Sequence, residues 1–398
     1  MKVLLINSVC GIRSTGRICT DIAEVLEKHG HQCKIAYGRE TVPEKHQKYA
    51  VRIGSSASVK LDGLLTRLFD DAGFHSVAAT KKFIKWIKAY DPDIIHLHNI
   101  HGYFLNIKLL FDYLKEANKP VIWTLHDCWP FTGHCTYHEF AGCDKWKTGC
   151  YACPQKKEYP ASILFDNSAR NYKKKAKIFN SVDKLHFIAI SDWISRQKAA
   201  SYLKDKPVTI IHNGIDLQQF CPTESNFKEK YGIADKRMYL GVSSFWDLRK
   251  GIDTFLELST MLEPNEVIVL VGGLTKSQLE NLPENIIGIE RTNNVQELAQ
   301  IYSAADVFVT PTKEDNYPTV NMEAIACGTP VVTFNAGGSP EILSPKSGLV
   351  VPKGDIRALL AAIRSVDLDT ETMVQDAQRF DKAEKYREYL EFYERCLQ

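Results

Sequence analysis

Residues 311–324 combine groups that could bind a charged ligand, and they follow a short apolar run at 306–310. Pro318 suits the first turn of a helix, so backbone amides there are expected to lack intrahelical acceptors. Such amides and the helix dipole favour phosphate. Asp315 precedes this helix and Glu323 lies inside it, so two carboxylates could accept hydrogen bonds from sugar hydroxyls. Loop capping by Asp315 and an ordinary helical Glu323 would explain the same spacing equally well.

A second charged position is the pair Arg249 and Lys250, which stands just before Gly251 and a helix expected from about Ile252. Cations are unfavourable at a helix N-terminus because the helix dipole is positive there. A diphosphate bound between this loop and the two cations would remove the conflict. A solvated basic pair in a loop is the alternative, and for an isolated dipeptide it is the commoner outcome.

Four cysteines within nineteen residues form the third feature: Cys135, Cys143, Cys150 and Cys153. The Cys-x2-Cys half resembles a zinc knuckle, and tetrahedral zinc could cross-link a loop that contains glycine and proline but few core residues. We therefore predict a structural zinc ion here. Reduced thiols and disulfides remain alternatives, and Cys128, His134 and His138 are spare donors.

The elements that position these residues follow an alternating pattern of apolar runs and helical periodicity. Runs at 3–6, 33–36, 93–98, 120–124 and 185–190 are apolar on both faces and separated by helices, which is typical of a parallel sheet covered on both faces. The pattern restarts with runs at 238–242, 266–271, 306–309 and 330–333. The sequence thus predicts an α/β protein with two doubly wound, Rossmann-like domains.

The predicted domains are residues 1–205, with a Cys-rich loop at 128–154, and residues 206–378. Residues 379–398 form a separate C-terminal helix, because Tyr386, Tyr389, Leu390 and Tyr393 recur at three- and four-residue spacing. Such an amphipathic helix must cover an apolar surface.

Composition excludes several classes of protein. The chain has 398 residues, 44% of them hydrophobic, and a formal net charge of +2, which argues against a dedicated nucleic-acid binder. No apolar run reaches the roughly 18 residues of a membrane-spanning helix, so we expect a cytoplasmic protein without a signal peptide. The spacing Gly11-x4-Gly16 departs from the dinucleotide-binding fingerprint, which disfavours an oxidoreductase. A zinc-ribbon nucleic-acid module would leave most of the chain unexplained.

Six motifs in order carry a family resemblance: Asp91–Asn99, Thr124–Asp127, His212–Asp216, Lys250-Gly251, Asp315–Glu323, and Gly328–Val332 with Gly337-Gly338. Together they resemble the large fourth family of retaining nucleotide-sugar glycosyltransferases, of GT-B architecture. The resemblance covers nearly the whole chain. It implies two domains facing across a cleft and a C-terminal helix that crosses back to the N-terminal domain.

The resemblance also implies roles for individual residues. The lysine matching Lys250 grips the donor diphosphate, together with the helix-start amides matching Pro318, Thr319 and Val320. The residue matching Glu323 holds the ribose, and the position of Asp315 contacts the transferred sugar. The remaining matches are His126, beside the donor sugar, and Gly11, Gly16 and Arg17, which form the glycine loop facing the cleft.

Two positions depart from the family pattern. Asp315 stands where the family has glutamate, a side chain longer by about 1.5 Å, so Glu314 could share its task. Phe245 occupies a position that is often arginine, and Arg249 is the candidate substitute. Since a weakened diphosphate site would lower donor binding, a catalytically impaired sugar-nucleotide or glycan-binding relative is the alternative function.

The resemblance implies sugar transfer from a nucleotide-diphosphate donor to a glycan or lipid-linked acceptor in capsular, exopolysaccharide or other surface-glycan assembly. Anomeric configuration is retained, and no cofactor is required for catalysis. A basic run, Arg170 to Lys177, suggests a peripheral contact with the inner face of the plasma membrane, although a solvated helix surface is the alternative.

Overall fold

Two parallel β-sheets are built from the apolar runs that the sequence predicted as strands. In the computed structural model, which describes all residues 1–398, the chain divides into two units. Unit 1 comprises residues 1–212 and 385–398, and unit 2 comprises residues 213–384. The sequence placed the boundaries at residues 205 and 378.

The sheet of unit 1 has seven parallel strands in the order β3-β2-β1-β4-β5-β6-β7. The strands are β1 (Lys2–Asn7), β2 (Gln32–Tyr37), β3 (Ala50–Arg52), β4 (Ile94–Leu97), β5 (Val121–Leu125), β6 (Leu185–Ala189) and β7 (Val208–Ile210). The helices are α1 (Arg13–Lys28), α2 (Ser56–Phe69), α3 (Val77–Tyr90), α4 (Ile107–Ala117), α5 (Ser168–Phe179) and α6 (Asp192–Ala199). Short 3-10 turns lie at Glu44–Tyr49, Trp129–Phe131 and Lys145–Lys147.

Both faces of this sheet are covered, as continuous apolar strands require. Leu4 and Ile6 of β1 belong to one core layer, whereas Val3 and Leu5 belong to the other. All four side chains are fully buried.

The sheet of unit 2 has six parallel strands in the order β10-β9-β8-β11-β12-β13. The strands are β8 (Arg237–Val242), β9 (Glu266–Val271), β10 (Ile286–Ile289), β11 (Val307–Thr310), β12 (Val331–Phe334) and β13 (Gly348–Val351). The helices are α7 (Phe227–Lys230), α8 (Ile252–Ser259), α9 (Lys276–Glu280), α10 (Val295–Ala304), α11 (Thr319–Ala326), α12 (Ile356–Ser365) and α13 (Thr370–Ala377), with 3-10 turns at Ser339–Ile342 and Gln378–Phe380. The predicted fold, two doubly wound parallel sheets, is confirmed.

The sequence did not predict four of the thirteen strands, and these four are the sheet edges: β3, β7, β10 and β13. Each has only three or four residues and contains partly or fully exposed positions. A strand this short offers too few positions for hydrophobic patterning to detect it, even where all its residues are apolar, as in β10 and β13.

The C-terminal helix α14 (Lys382–Leu397) belongs to unit 1 from Lys385 onward. Tyr386, Tyr389, Leu390 and Tyr393 pack in the core layer that contains Val3 and Leu5. The predicted return of this helix to the N-terminal domain is confirmed.

A buried hydrogen bond ties this helix to the central strands. The Tyr393 hydroxyl lies 2.6 Å from Nδ1 of His96 in β4, and His96 Nε2 lies 2.8 Å from Thr124 Oγ1 in β5. Both ring nitrogens of this buried histidine are therefore satisfied, as burial of a polar group requires.

Replacement of Tyr393 by phenylalanine is expected to destabilise the protein by about 1–3 kcal/mol, because His96 Nδ1 would stay buried without a partner. Urea unfolding followed by intrinsic tryptophan fluorescence, to which Trp123 in the same sheet contributes, measures the change. Tyr231→Phe, at a partly exposed position in unit 2, serves as the control and should be nearly neutral. Equal midpoints for Tyr393→Phe and the unmodified protein would contradict this role of the hydrogen bond.

Candidate active site

The predicted diphosphate residues lie where the connections of the unit 2 sheet diverge. β8 and β11 are neighbours at the centre of the sheet, while β9 and β12 flank them on opposite sides. Loops 243–251 and 311–318 follow these two central strands. Such a topological switch point is where open α/β sheets bind ligands.

The two loops are held together by charged and backbone contacts. Lys250 Nζ lies 2.5 Å from Asp315 Oδ2, and both side chains are at least four-fifths buried. Arg249 Nη1 donates to the Glu314 carbonyl at 2.8 Å, and the Arg249 carbonyl accepts from the Lys313 amide at 2.8 Å. The structure therefore brings the two predicted cations and the predicted sugar-contacting carboxylate into one cluster.

Two glycines allow this close approach. Gly251 has φ +82°, and a Cβ atom there would lie 2.4 Å from the Pro311 carbonyl oxygen. Gly337 has φ +59°, and its Cβ would lie 1.9 Å from the Asp315 carbonyl oxygen. Because any side chain would push the backbones apart, both positions require glycine.

The electrostatics of the cluster keep Asp315 ionised. Burial alone would raise the pKa of Asp315, but the charges of Lys250 and Arg249 and the hydrogen bond from Lys250 outweigh it and lower the pKa below its ordinary value. An ionised carboxylate is a strong acceptor for hydroxyl donors.

Helix α11 begins beside this cluster. Pro318 is its N-cap residue, and no side chain caps the helix. Asn321, in the first turn, accepts from Thr310 Oγ1 at 2.6 Å and donates to Ser339 Oγ at 3.0 Å. These bonds fix the helix start to the end of β11. Thr319 and Val320 are only half-buried, so their amides lie at an accessible helix end.

Glu323 lies one turn further along α11. Its Oε2 accepts from the Tyr302 hydroxyl at 3.0 Å. Burial, followed by the charge of Glu323, raises the pKa of Tyr302 well above its ordinary value, so the hydroxyl remains a donor. Tyr302 thus orients the carboxylate predicted to hold the ribose, a role that the sequence did not indicate.

In unit 1 the glycine loop follows β1, next to β4 in the sheet. The Gly11 amide donates to the Gly16 carbonyl at 3.1 Å, which closes a tight turn at the start of α1. Arg17 is exposed on α1. The Asn99 amide donates to Asn7 Oδ1 at 3.1 Å and so joins the ends of β1 and β4.

His126 follows β5 and belongs to a row of buried histidines. Its Nε2 lies 2.9 Å from His98 Nδ1. The His98 ring lies next to the His96 ring, with the two centroids 4.1 Å apart. Burial lowers the pKa of His126 to about 4, more than the charge of Asp127 raises it. His126 is therefore neutral at pH 7 and can exchange hydrogen bonds, but it is not a cation.

Sequence reasoning missed the partners of this row. His101 Nε2 lies 2.8 Å from Asp127 Oδ2, and His101 Nδ1 lies 3.0 Å from the Tyr159 hydroxyl. The sequence signal for the row itself was the two-residue spacing of His96 and His98, which places both side chains on one face of an extended segment. Their contact with His126 depends on strand order, which the sequence does not reveal directly.

The four cysteines of the predicted metal site line one small pocket, together with His134 and His138. The Cys135 and Cys153 thiols are hydrogen-bonded, and Cys150 Sγ accepts from the Gly133 amide at 3.1 Å. No three of the four sulfurs lie within 4.8 Å of one another. The structure thus gathers the predicted ligands around one pocket without closing them into a tetrahedron.

Two buried basic groups lie near the cysteines. His134 Nδ1 donates to Asp70 Oδ1, whereas its Nε2 forms no hydrogen bond. Burial lowers the pKa of His134, but its hydrogen bond to Asp70 and the charges of Asp70 and Cys153 raise it above its ordinary value. Lys175 is 1% exposed, donates to the Trp129 carbonyl, and has its pKa lowered to about 7 by burial. It is therefore not part of the basic surface run that the sequence suggested.

Two family models match the chain. The model described as Glycosyltransferase Family 4 matches residues 15–219, and the one described as Glycosyl transferases group 1 matches residues 236–367. Among curated relatives, WcaC of Escherichia coli K12, named as a colanic acid biosynthesis glycosyl transferase, is 24% identical over 99% of this chain and 100% of its own.

Solved structures share the fold. Sucrose-phosphate synthase from Thermosynechococcus elongatus aligns over 99% of this chain and 98% of its own, with a TM-score of 0.70 and 18% identity. The Anabaena protein HepE, solved in complex with UDP, aligns over 99% and 100% of the two chains, with a TM-score of 0.67 and 16% identity. The architecture is that of GT-B proteins.

Replacement of Lys250 by methionine should destabilise unit 2 by about 1–3 kcal/mol at pH 7, since it leaves the Asp315 carboxylate without its closest cation. The folded-state pKa of Asp315 is lowered, so the pair stabilises the fold above the unfolded-state pKa and this contribution is lost as pH falls through the folded-state value. The difference between the two proteins should therefore shrink below roughly pH 4.

Denaturant unfolding at several pH values measures this difference. Lys276→Met is the control, because Lys276 is 90% exposed and pairs only within α9, with Glu280. A Lys250→Met effect that stays constant down to strongly acidic pH would show that the ion pair with Asp315 is not its source.

Proposed function

Since the chain belongs to glycosyltransferase family 4, we propose that it transfers a sugar from a nucleoside-diphosphate donor to an acceptor hydroxyl with retention of anomeric configuration. We further propose that the product belongs to a cell-surface polysaccharide such as a capsule or exopolysaccharide. The name of WcaC supports this second part, because that relative matches nearly the whole chain. The Lys250–Asp315 cluster beside the start of α11 carries the first part.

The donor diphosphate binds between Lys250, Arg249 and the amides of Thr319 and Val320. These groups supply two positive charges and the positive end of a helix, which together favour a diphosphate. Arg249 also lies 5.7 Å from the ring of Phe245, where the family often has arginine. A guanidinium at this point supports the substitution of Arg249 for the missing arginine.

Asp315 and Glu323 contact the donor on either side of the diphosphate. Asp315 is ionised and accepts hydrogen bonds from hydroxyls of the transferred sugar, while Lys250 is shared between this carboxylate and the phosphates. Glu323, oriented by Tyr302, accepts from the ribose hydroxyls. The complex with UDP of HepE supports a nucleotide donor for this fold.

In the chemical step, negative charge develops on the departing phosphate, and Lys250, Arg249 and the helix start stabilise it. The acceptor attacks from the face that the phosphate leaves, and a phosphate oxygen takes the acceptor proton. His126 contributes a hydrogen bond to the sugar as a neutral ring, in keeping with its lowered pKa. No residue is assigned as a covalent nucleophile, and catalysis needs no metal ion.

The donor part of the proposal is tested by thermal shift with UDP, GDP and ADP and their sugars, on the unmodified protein and on Lys250→Met. A ligand at a hundred times its dissociation constant adds about 2.7 kcal/mol of stability. We expect a shift for one nucleotide series, reduced by at least half in Lys250→Met and unchanged in Lys276→Met. A shift that survives Lys250→Met in full would place the diphosphate elsewhere.

Release of nucleoside diphosphate from the bound donor, in the presence of acceptor glycans, distinguishes an enzyme from the binding-only alternative. Donor binding without release under any condition would favour a catalytically impaired relative. Retention is read from the anomeric proton coupling of the product by NMR. The anomer opposite to that of the donor would overturn retention while leaving transfer intact.

The third part of the proposed function is a peripheral contact with the inner face of the plasma membrane. No helix of the structure combines the length and the apolar character needed to cross a bilayer. Exposed apolar side chains of α2 and of loop 163–165 form a patch in unit 1, consisting of Leu61, Leu64, Phe69, Ile163, Leu164 and Phe165. Phe69 and Phe165 stack with centroids 6.1 Å apart, and the Ile163 amide donates to the Arg67 carbonyl at 2.7 Å.

Charge around this apolar patch favours an anionic lipid surface. Lys60 and Arg67 are exposed on α2, and Arg170 is exposed at the start of α5. Lys156 Nζ lies 3.4 Å from the Leu164 carbonyl. Apolar side chains surrounded by basic ones are typical of surfaces that bind the headgroup region of anionic membranes.

The double variant Leu164→Ser, Phe165→Ser is expected to weaken co-sedimentation with phosphatidylglycerol-containing vesicles about tenfold, because two large apolar side chains no longer enter the lipid. Leu256→Ser, at a partly exposed apolar position in unit 2, is the control. Binding of the unmodified protein that is equal for neutral and anionic vesicles would contradict the membrane contact.

A further inference from the structure

We propose that Cys135, Cys143, Cys150 and Cys153 bind one zinc ion, which cross-links the long connection between β5 and α5. This inference concerns the architecture of unit 1 and is independent of the donor site. It rests on four observations: the shared pocket, the contacts of the sulfurs, the buried lysine beside them, and the irregular course of the connection.

The ligands already surround one pocket from different turns of the chain. Cys135 is buried, and the other three thiols are partly exposed. Zinc–sulfur bonds of about 2.3 Å in a tetrahedron place sulfurs about 3.8 Å apart. The Cys135 and Cys153 thiols are already hydrogen-bonded to each other, and a shift of the sulfurs would bring Cys143 and Cys150 into the same tetrahedron.

The backbone near these cysteines permits that movement. Gly142 and Gly149 directly precede Cys143 and Cys150, and both have positive φ with open space around them. Residues 126–167 contain only two short 3-10 turns of regular structure. Small changes in backbone dihedrals can therefore bring the thiols together without disturbing the sheet.

Contacts around the pocket are those expected of thiolate ligands. The Gly133 amide donates to Cys150 Sγ at 3.1 Å, and such bonds stabilise charge on sulfur. A Cβ at Gly133 would lie 2.2 Å from the Ser168 carbonyl oxygen and 2.7 Å from Cys150 Cβ, so glycine is required for this backbone to lie close to Cys150. His134 presents an Nε2 without a hydrogen bond to the same pocket and is the alternative fourth ligand.

Lys175 adds a basic group to the surroundings of the cysteines. Its side chain is 1% exposed, its ammonium lies 3.6 Å from the centroid of the Trp129 ring, and its hydrogen bond goes to a neutral carbonyl. Cys150, Cys135, Asp127 and Asp70 lie close enough for negative charge on them to favour the ammonium form of Lys175. Zinc with four thiolates carries a net charge of −2, since each thiol loses its proton on binding, and this charge would add to that of the two carboxylates.

The direct test is the metal content of the full-length protein, purified without chelators or nickel resin from cells grown with added zinc. Inductively coupled plasma mass spectrometry should find one zinc ion per chain. Cys150→Ser and Cys153→Ser should each lose at least nine-tenths of it, whereas the control Cys396→Ser, in the same unit, should retain it fully.

A second measurement decides the matter if the serine variants do not fold. Titration of the unmodified protein with p-hydroxymercuribenzoate, in the presence of a chromogenic zinc chelator, should release zinc as the cluster thiols react. Cobalt substitution should give intense tetrahedral d–d bands and sulfur-to-cobalt charge transfer, which are unchanged in His134→Gln if all four ligands are cysteines. Weaker charge transfer together with a response to His134→Gln would overturn the four-cysteine set.

Three results would overturn the proposal as a whole. The first is unmodified protein without stoichiometric zinc, whose cluster thiols all react freely. The second is full zinc content in both Cys150→Ser and Cys153→Ser. The third is an intact mass lower by two hydrogens, with a Cys135–Cys153 disulfide found by peptide mapping, which would make this pair a redox couple instead.

Discussion

The ion pair between Lys250 and Asp315 is the interaction on which the rest of the candidate site depends. It joins the loop after β8 to the loop after β11, and these two loops come from neighbouring strands at the centre of the sheet. The approach is close enough that Gly251 and Gly337 have no room for a side chain. A charged pair packed between backbones in this way fixes the position of both groups, which reduces the reorganisation needed when a charged ligand arrives.

The same pair explains how two buried cations are tolerated next to each other. Asp315 neutralises Lys250, and the buried Arg249 guanidinium is directed to the Glu314 carbonyl. In the proposed donor complex, a diphosphate would bring more negative charge than one carboxylate and would share Lys250 with Asp315. The carboxylate would then keep acceptor capacity for sugar hydroxyls, so that one contact would serve two parts of the donor.

Much of the fold could be predicted because central parallel strands are buried on both faces and therefore carry continuous apolar runs. The edge strands β3, β7, β10 and β13 have only three or four residues each and were missed. Within the candidate site, the sequence singled out Lys250, Asp315 and Glu323 by their residue types and their places in the motifs. It gave no signal for the contact of Tyr302 with Glu323 or of His98 with His126, because these contacts join residues distant in sequence. Lys175 was assigned to the surface for the same reason, since a run of lysines does not reveal that one of them enters the core.

In the Cys-rich connection, contacts that the sequence does not reveal supply part of a core. From the sequence, the connection had little core of its own, and a metal ion was the simplest cross-link. The structure adds buried Trp129, Phe131 and Trp146, so apolar packing already holds part of it. Packing of this kind explains why the connection is compact, so the lack of a core is no longer a reason for a metal ion. The reason that remains is geometric: four cysteines from separate turns line one pocket, and two of their thiols are hydrogen-bonded to each other. This convergence depends on how the connection folds, and the spacing of the cysteines in the sequence does not reveal it.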